Sequence, residues 1–354
     1  MKISPVQEIL ANCKGQRVKL PVLFSLTPAW KPKLNPNHAS VEASVEQWRR
    51  NWLPDTSSYL RNVTVNGALF ARAACPEASV SKSEIVGKYG AWVFAWDDPI
   101  DFGELDEEQR ELYRVESIEV IRRSLLSHHD HGPAKVSPTF PLAQSFYEIG
   151  VQMREGPKLE PIRRLFCETL CDYVNGAIRV QNPYEDGRLL SLDEYLDIRI
   201  HSSGVYPTIA IALYAQDTEI PAWLLDHPVV KEMMKQTCIA VSLDNDTVSV
   251  CQELRVNHID NMIPLSMYNK SLTPQEAVDY TSQLIHEAYA SFRKLEPELL
   301  CLAVDNDVLD AAQVFLDCCK NVRAGLVFWS YAVRRYGEYD AGNRDEEVSV
   351  ILGA

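Results

Sequence analysis

The sequence predicts a single all-α domain, and three observations predict it. Apolar residues recur at helical spacing from residue 41 nearly to the end of the chain. Strand-like alternation is rare, and no internal repeat or Gly/Ser-rich linker divides the 354 residues. A composition of 46 % hydrophobic and 24 % charged residues suits a packed globule with a large buried core.

Residues 1–40 are expected to form an extended N-terminal lead-in, with 41–354 as the helical domain; residues 16–40 hold four prolines and little periodicity. "SVEASVEQWRRNWL" then puts Val41, Val45, Trp48 and Trp52 on one helical stripe. In "AWVFAWDDPIDFGELDEEQ" an apolar helix runs into Asp97-Asp98, and Pro99 predicts its end at Asp98, because proline disfavours helical geometry in the preceding residue. "EEQRELYRVESIEVIRRSLL" sets Leu112, Val115, Ile118 and Ile121 on a further stripe. "SHHDHGPAKVSP" is a breaker-rich loop; its histidines at 128, 129 and 131 read as solvated, since zinc draws ligands from separated turns. Cys167 and Cys171 sit at helical spacing and read as core. "LDIRIHSSGVYP" predicts a helix break at Ser-Ser-Gly, and a broken helix exposes unpaired carbonyls. "VSLDNDTVSVCQELR" reads as a buried helix. "TPQEAVDYTSQLIHEAYASF" opens on a capping box of Thr273 and Glu276, with Pro274 at the first helical position.

Charge narrows the function. There are 35 basic and 49 acidic residues, a net −14, which repels phosphate backbones and anionic lipid surfaces. No apolar run approaches the roughly 18–20 residues of a membrane span, and residues 1–20 lack a signal-type apolar core. The nine cysteines are odd in number and form no C-x-x-C framework, so they read as free thiols in a reducing compartment. A cytoplasmic protein is the expectation, with no nucleic-acid or membrane partner. No G-x-G-x-x-G following a strand, Walker loop or G-x-S-x-G elbow is present.

Two polar clusters carry chemistry. In Asp97-Asp98-Pro-Ile-Asp101, positions i and i+4 share a helical face, so Asp97 and Asp101 point the same way. Asn245, Ser249 and Glu253 lie at i, i+4 and i+8; over about 12 Å of axis they drift only about 80°, so all three line one face. Asn and Ser are mediocre residues inside a helix, so this placement calls for a reason. Amide, hydroxyl and carboxylate oxygens suit a hard cation such as Mg²⁺, which also keeps waters and substrate phosphates as ligands. Solvated acids and ordinary helix-packing hydrogen bonds are the plainer alternatives. If a phosphate binds, arginine meets it best, with a planar fork of donors.

DDxxD followed about 150 residues later by NDxxSxxxE resembles the class I terpene synthases, in particular microbial sesquiterpene cyclases. The resemblance implies a helical barrel with a central apolar cavity, in which the two motifs face each other and hold three Mg²⁺ ions on the diphosphate of an isoprenoid. Asp97 matches the principal metal-bridging aspartate, with Asp98 and Asp101 completing the first motif. Asn245, Ser249 and Glu253 match the second position by position. Many members carry a basic residue just before the final glutamate; here it is Gln252. Arg199, Ser202 and Ser203 resemble the diphosphate sensor, linker and effector of the family, and Arg335-Tyr336 its terminal diphosphate-binding pair. Phe94 and Trp329 match aromatics of the cavity wall, with Phe70, Trp92 and Trp96 as further candidates. "NPNH" near Asn35 is similar to an N-terminal feature of fungal relatives.

The implied activity is Mg²⁺-dependent ionisation of farnesyl diphosphate and cyclisation of the carbocation to a sesquiterpene hydrocarbon or alcohol, with release of diphosphate. The alternatives are a diterpene cyclase using geranylgeranyl diphosphate and a non-catalytic all-α binding or scaffold protein. Chain-elongating prenyltransferases carry two aspartate-rich motifs, whereas the second motif here is Asn/Ser/Glu. The expected partner is a prenyl diphosphate, with a homodimer as the one protein assembly left open.

Overall fold

The computed structural model describes residues 4–53, 55–126, 140–154, 156–179, 189–336 and 346–353. The histidines at 128, 129 and 131 lie outside the described residues. The helices are, in order, α1 (Pro5–Cys13), α2 (Ala39–Trp52), α3 (Thr56–Val65), α4 (Gly67–Ala74), α5 (Val80–Asp101), α6 (Glu107–Leu126), α7 (Pro141–Gln152), α8 (Glu160–Arg179), α9 (Leu192–Ser202), α10 (Val205–Ala215), α11 (Ala222–Leu225), α12 (Pro228–Arg255), α13 (Met262–Lys270), α14 (Pro274–Asp305) and α15 (Leu309–Ala332). A two-stranded antiparallel ribbon pairs β1 (Arg17–Leu20) with β2 (Val348–Ile351), Arg17 opposite Ile351 and Leu20 opposite Val348.

The all-α expectation holds, and two helices dominate the placement of the polar motifs. The first, α5, lies against α2, α4 and α7. The second, α12, is 28 residues long and lies against α14 and α15. Apolar residues of both belong to one continuous core, with Tyr89, Trp92 and Trp96 from α5 and Met233, Cys238 and Val241 from α12. Of the predicted stripe on α2, Val41, Val45 and Trp48 are fully buried and Trp52 is half-buried. The Thr273–Glu276 capping box forms as read, Glu276 N–H donating to Thr273 Oγ1 and Thr273 N–H to Glu276 Oε2.

Three expectations are corrected. The N-terminal lead-in is not wholly extended. Ser4 caps α1 with Gln7 in a reciprocal box and Pro5 follows at the first helical position, a strong local start signal. With β1, α1 packs over Val250 and Leu254 near the C-terminal end of α12. Next, α5 does not stop at Asp98. Pro99 lies within its last turn, where it removes a single N–H, and the helix ends only at Phe102, whose N–H bonds Asp98 O at 2.9 Å. Finally, the face of α6 was misphased. Leu112 and Val115 are exposed, and the buried set is Tyr113, Ser117, Val120, Ile121, Ser124 and Leu125. Small serines and a tyrosine take the inner positions because α7 and α8 both pack closely on this helix.

Candidate active site

Because α5 continues through Pro99, Asp97 and Asp101 share one face at its C-terminal end. Burial pushes the Asp97 carboxyl well above the usual carboxylate range; Asp101 adds to the rise, while Arg335 and the Tyr173 hydroxyl oppose it. Burial also raises Asp101, with Arg335, His258 and Arg199 opposing. Asp101 itself is exposed to solvent. Asp98 is engaged differently. It is buried and held by Arg61 Nε at 3.3 Å and Arg335 Nη1 at 3.4 Å. Of the three aspartates it is the one already engaged by two guanidinium groups.

On α12, Asn245, Ser249 and Glu253 line one face. Arg199 Nη2 donates to Asn245 Oδ1 at 2.6 Å, and Asn245 Nδ2 donates to the Tyr336 hydroxyl at 3.0 Å. Glu253 Oε2 accepts from Asn261 Nδ2 at 2.8 Å. Burial raises the Glu253 carboxyl, the nearby Asp246 charge raises it further, and His258 and Asn261 pull it back. Ser249 Oγ is buried and has no partner at hydrogen-bonding geometry, although it lies close enough to Glu253 to affect its acidity.

The two motifs meet through the last described turn of the helical domain. Arg335 reaches Asp98 on α5, and its neighbour Tyr336 reaches Asn245 on α12. His258, on the loop after α12, feels the charges of both Glu253 and Asp101. Its imidazole pairs with Asp260 Oδ2 at 2.9 Å, and this hydrogen bond raises its pKa.

The predicted helix break is present. Helix α9 ends at Ser202, Gly204 takes φ +70°, and α10 starts at Val205. Only glycine adopts this left-handed conformation freely. Gly176 of α8 makes the close approach possible, because a Cβ there would meet His201 O at 2.9 Å. The Ile200 carbonyl and Ser203 Oγ each lie 3.5 Å from Cys238 Sγ on α12. Ser202 and Ser203 are half-buried at this kink, three and four residues beyond Arg199.

Phe94 is half-buried one turn before Asp97. Its ring stacks on Trp329 at 5.2 Å, and the Arg335 guanidinium sits 4.8 Å from its centroid on the motif side. Phe70 packs edge-on against Trp329 at 5.7 Å, and Trp329 donates its indole N–H to Val65 O at 2.7 Å. Trp92 and Trp96 behave differently. Both are fully buried in the core, donating to Leu142 O and Ser117 Oγ, so they do not join the Phe70–Phe94–Trp329 group.

Sequence reasoning missed several partners. Asp246, beside Asn245 in the motif, is fully buried and accepts from the Tyr195 hydroxyl at 2.7 Å, Met262 N at 2.9 Å and Arg199 Nε at 3.3 Å. Arg61 and Tyr173 flank the aspartates, and Asn261 holds Glu253. Only Asp246 carried a usable signal, an acid inside a buried helix, which needs a partner.

The chemistry of the set fits a hard divalent cation. Its donors are oxygens from Asp97, Asp101, Asn245, Ser249 and Glu253, and one of them, Ser249 Oγ, is buried without a partner. The acids are held above their ordinary range by burial, a charge cost that a cation would offset. Among the described residues no three acidic, histidine or cysteine side chains converge on one point. An ion here would complete its shell with water and phosphate oxygens, as Mg²⁺ does.

Comparison with known proteins identifies the family. The profile of terpene synthase family 2, C-terminal metal binding, matches residues 88–291, a span holding both motifs and Arg199 but not Arg335-Tyr336. The chain is 27 % identical to terpene cyclase braA of Annulohypoxylon truncatum, over 99 % of this chain and 94 % of that protein. It is 25 % identical to sesquiterpene cyclase hepA of Aspergillus oryzae, over 95 % of this chain and 93 % of that protein. A crystal structure of a-eudesmol synthase superposes with a TM-score of 0.74 at 15 % identity, covering 85 % of this chain and 97 % of that one, a likeness of fold. The profile spans more than half of the chain: the protein belongs to the terpene synthase family, with the all-α class I fold.

Proposed function

We propose that this terpene synthase is a sesquiterpene cyclase, a carbon–oxygen lyase that ionises farnesyl diphosphate with Mg²⁺ and closes the carbocation into a C15 hydrocarbon or alcohol. The observation that supports the reading is the link from Asp98 through Arg335-Tyr336 to Asn245, which connects the two polar motifs. The C15 chain length follows the similarity to the sesquiterpene cyclase of Aspergillus oryzae, which spans nearly the whole chain.

In this reading Asp97, Asp101, Asn245, Ser249 and Glu253 would hold Mg²⁺, three ions by the family resemblance, while Asp98 orients Arg61 and Arg335. Bound there, Mg²⁺ would neutralise the diphosphate and make it a better leaving group. Arg199, Arg335 and Tyr336 donate hydrogen bonds to diphosphate oxygens, with Ser202 and Ser203 as linker and effector behind Arg199. The allylic C–O bond then breaks heterolytically: the electron pair leaves with the diphosphate, and the cation stays in an apolar cavity. Phe94, Phe70 and Trp329 offer their π faces to that cation, each worth about 2 kcal/mol or more when desolvated. Exclusion of water keeps the cation alive long enough to cyclise. Loss of a proton to the released diphosphate ends the sequence as a hydrocarbon; capture of one water by the final cation, followed by loss of its proton to the diphosphate, gives the alcohol, and neither needs a side-chain base. A cytoplasmic location belongs to the same reading, in keeping with nine free cysteines and no described helix long and apolar enough to cross a membrane.

Incubation of the purified protein with Mg²⁺ and farnesyl diphosphate, followed by gas chromatography–mass spectrometry and a diphosphate assay, tests the reading. Cyclic C15 product and diphosphate should form together and cease with EDTA. Turnover of geranylgeranyl diphosphate alone would move the protein to diterpene chemistry. A folded protein inert toward every prenyl diphosphate would leave only a binding role.

A further inference from the structure

We infer that Asn261 is a positioning residue for the metal centre, setting the orientation of the Glu253 carboxylate. Asn261 lies in the loop between α12 and α13, outside both motifs, and is completely buried. Its side chain is used in three directions. Oδ1 accepts the Ile263 N–H at 2.9 Å and so caps α13. Nδ2 donates to Glu253 Oε2 at 2.8 Å and to the Asp246 main-chain carbonyl at 2.7 Å. Only one orientation of the amide satisfies these partners, because a backbone N–H must meet the oxygen, while a carboxylate and a carbonyl must meet the nitrogen. The same loop is fastened a second time, where Met262 N–H donates to Asp246 Oδ2 at 2.9 Å.

The consequence is geometric. Glu253 ends a long, flexible side chain in the last turn of α12, where rotamer freedom would scatter its oxygens. Asn261 takes one of those oxygens and ties it to the α12 backbone at Asp246, immediately beside Asn245. The Glu253 carboxylate is thereby referred to the α12 backbone beside Asn245 through a residue outside both motifs. Partners of this kind, one step removed from an ion, commonly change metal affinity about 10–100-fold when removed.

The inference rests on the metal–diphosphate reading of the site, and the test separates the two. Helix capping and positioning make different demands on residue 261. Asp is as good a cap as Asn, and Ser also caps. Asn261→Asp keeps the cap oxygen and the shape but turns an acceptor onto Glu253. Asn261→Ser keeps a cap and withdraws the donor. The probe is Mg²⁺ with inorganic diphosphate, followed by titration calorimetry on full-length protein, with the melting temperature measured in parallel without metal. Positioning predicts about tenfold or weaker Mg²⁺–diphosphate binding in Asn261→Ser, and weaker still in Asn261→Asp. A capping role alone predicts wild-type binding per folded molecule in both variants, and that result overturns the inference. If Asn261→Asp does not fold, the Asn261→Ser comparison decides alone. A wild-type protein that fails to bind Mg²⁺ and diphosphate would instead overturn the parent reading.

Discussion

Glu253 and Asn245 carry the most exposed consequence of the proposed site. Replacing either with alanine should lower farnesyl diphosphate turnover by at least about two orders of magnitude. The circular-dichroism melt should stay close to wild type, since both side chains are only partly buried. Steady-state assays on the two variants check this, and wild-type-like turnover in either would remove that residue from the metal set. Phe94→Leu should act differently. It withdraws a π face and opens space beside Trp329, so the product mixture should change while half-saturating Mg²⁺ does not. An unchanged product profile would return Phe94 to a packing role. At this scale the motif residues were legible because a helix keeps i, i+4 and i+8 together whatever surrounds it. Arg61, Tyr173 and Asn261 were not. Each reaches the site from another element, and no local spacing connects Asn261 to Glu253 or Arg61 to Asp98.

Elements place these residues, and two junctions do most of the placing. One is the buried pair between α15 and α12. Arg323 is fully buried and donates bidentately to Asp244, at 2.8 Å through both Nε and Nη2, and also to Thr27 Oγ1 and the Leu23 carbonyl. It fixes α12 immediately before Asn245. Arg323→Leu leaves Asp244 buried without its partner and should cost about 3–5 kcal/mol, measured by urea unfolding. A cost below about 1 kcal/mol would show that the N-terminal segment and α12 are held independently of this pair. The other junction is the kink between α9 and α10, seated against Gly176. Gly176→Ala pushes a Cβ onto His201 and Ser202, so Arg199 should shift and KM for the prenyl diphosphate should rise. An unaltered KM would separate the kink from diphosphate binding. Ser-Ser-Gly announced this kink. Pro99 misled because a proline in a last turn removes one hydrogen bond without ending the helix. The stripe on α6 misled because the helix is packed on by two others, so its inner face is chosen by fit rather than by hydropathy.

For the whole molecule, composition and helical period sufficed for the all-α class, and two motifs in the right order sufficed for the family. The ribbon of β1 and β2 was beyond reach, since it joins two four-residue strands from opposite ends of the chain. The interior also predicts thiol reactivity. Seven of the nine cysteines are buried, Cys251 is partly so, and Cys301 is exposed. Burial pushes the Cys75 and Cys319 thiols up to about 12, so they stay protonated and inert at pH 8. Native protein should therefore show a single fast thiol with a disulfide reagent at pH 8, removed in Cys301→Ser, and nine thiols in denaturant. Several fast thiols would mean a looser core than the one described.

The central claim is that Asp97 and Asp101 of α5 and Asn245, Ser249 and Glu253 of α12 serve a single ion cluster. A crystal structure with Mn²⁺ and inorganic diphosphate, read by anomalous scattering, tests it most directly. Anomalous peaks should flank one diphosphate on both sides, bounded by these five residues and by Arg199 and Arg335. Mn²⁺ at only one motif, or at two sites that share no diphosphate, would contradict it.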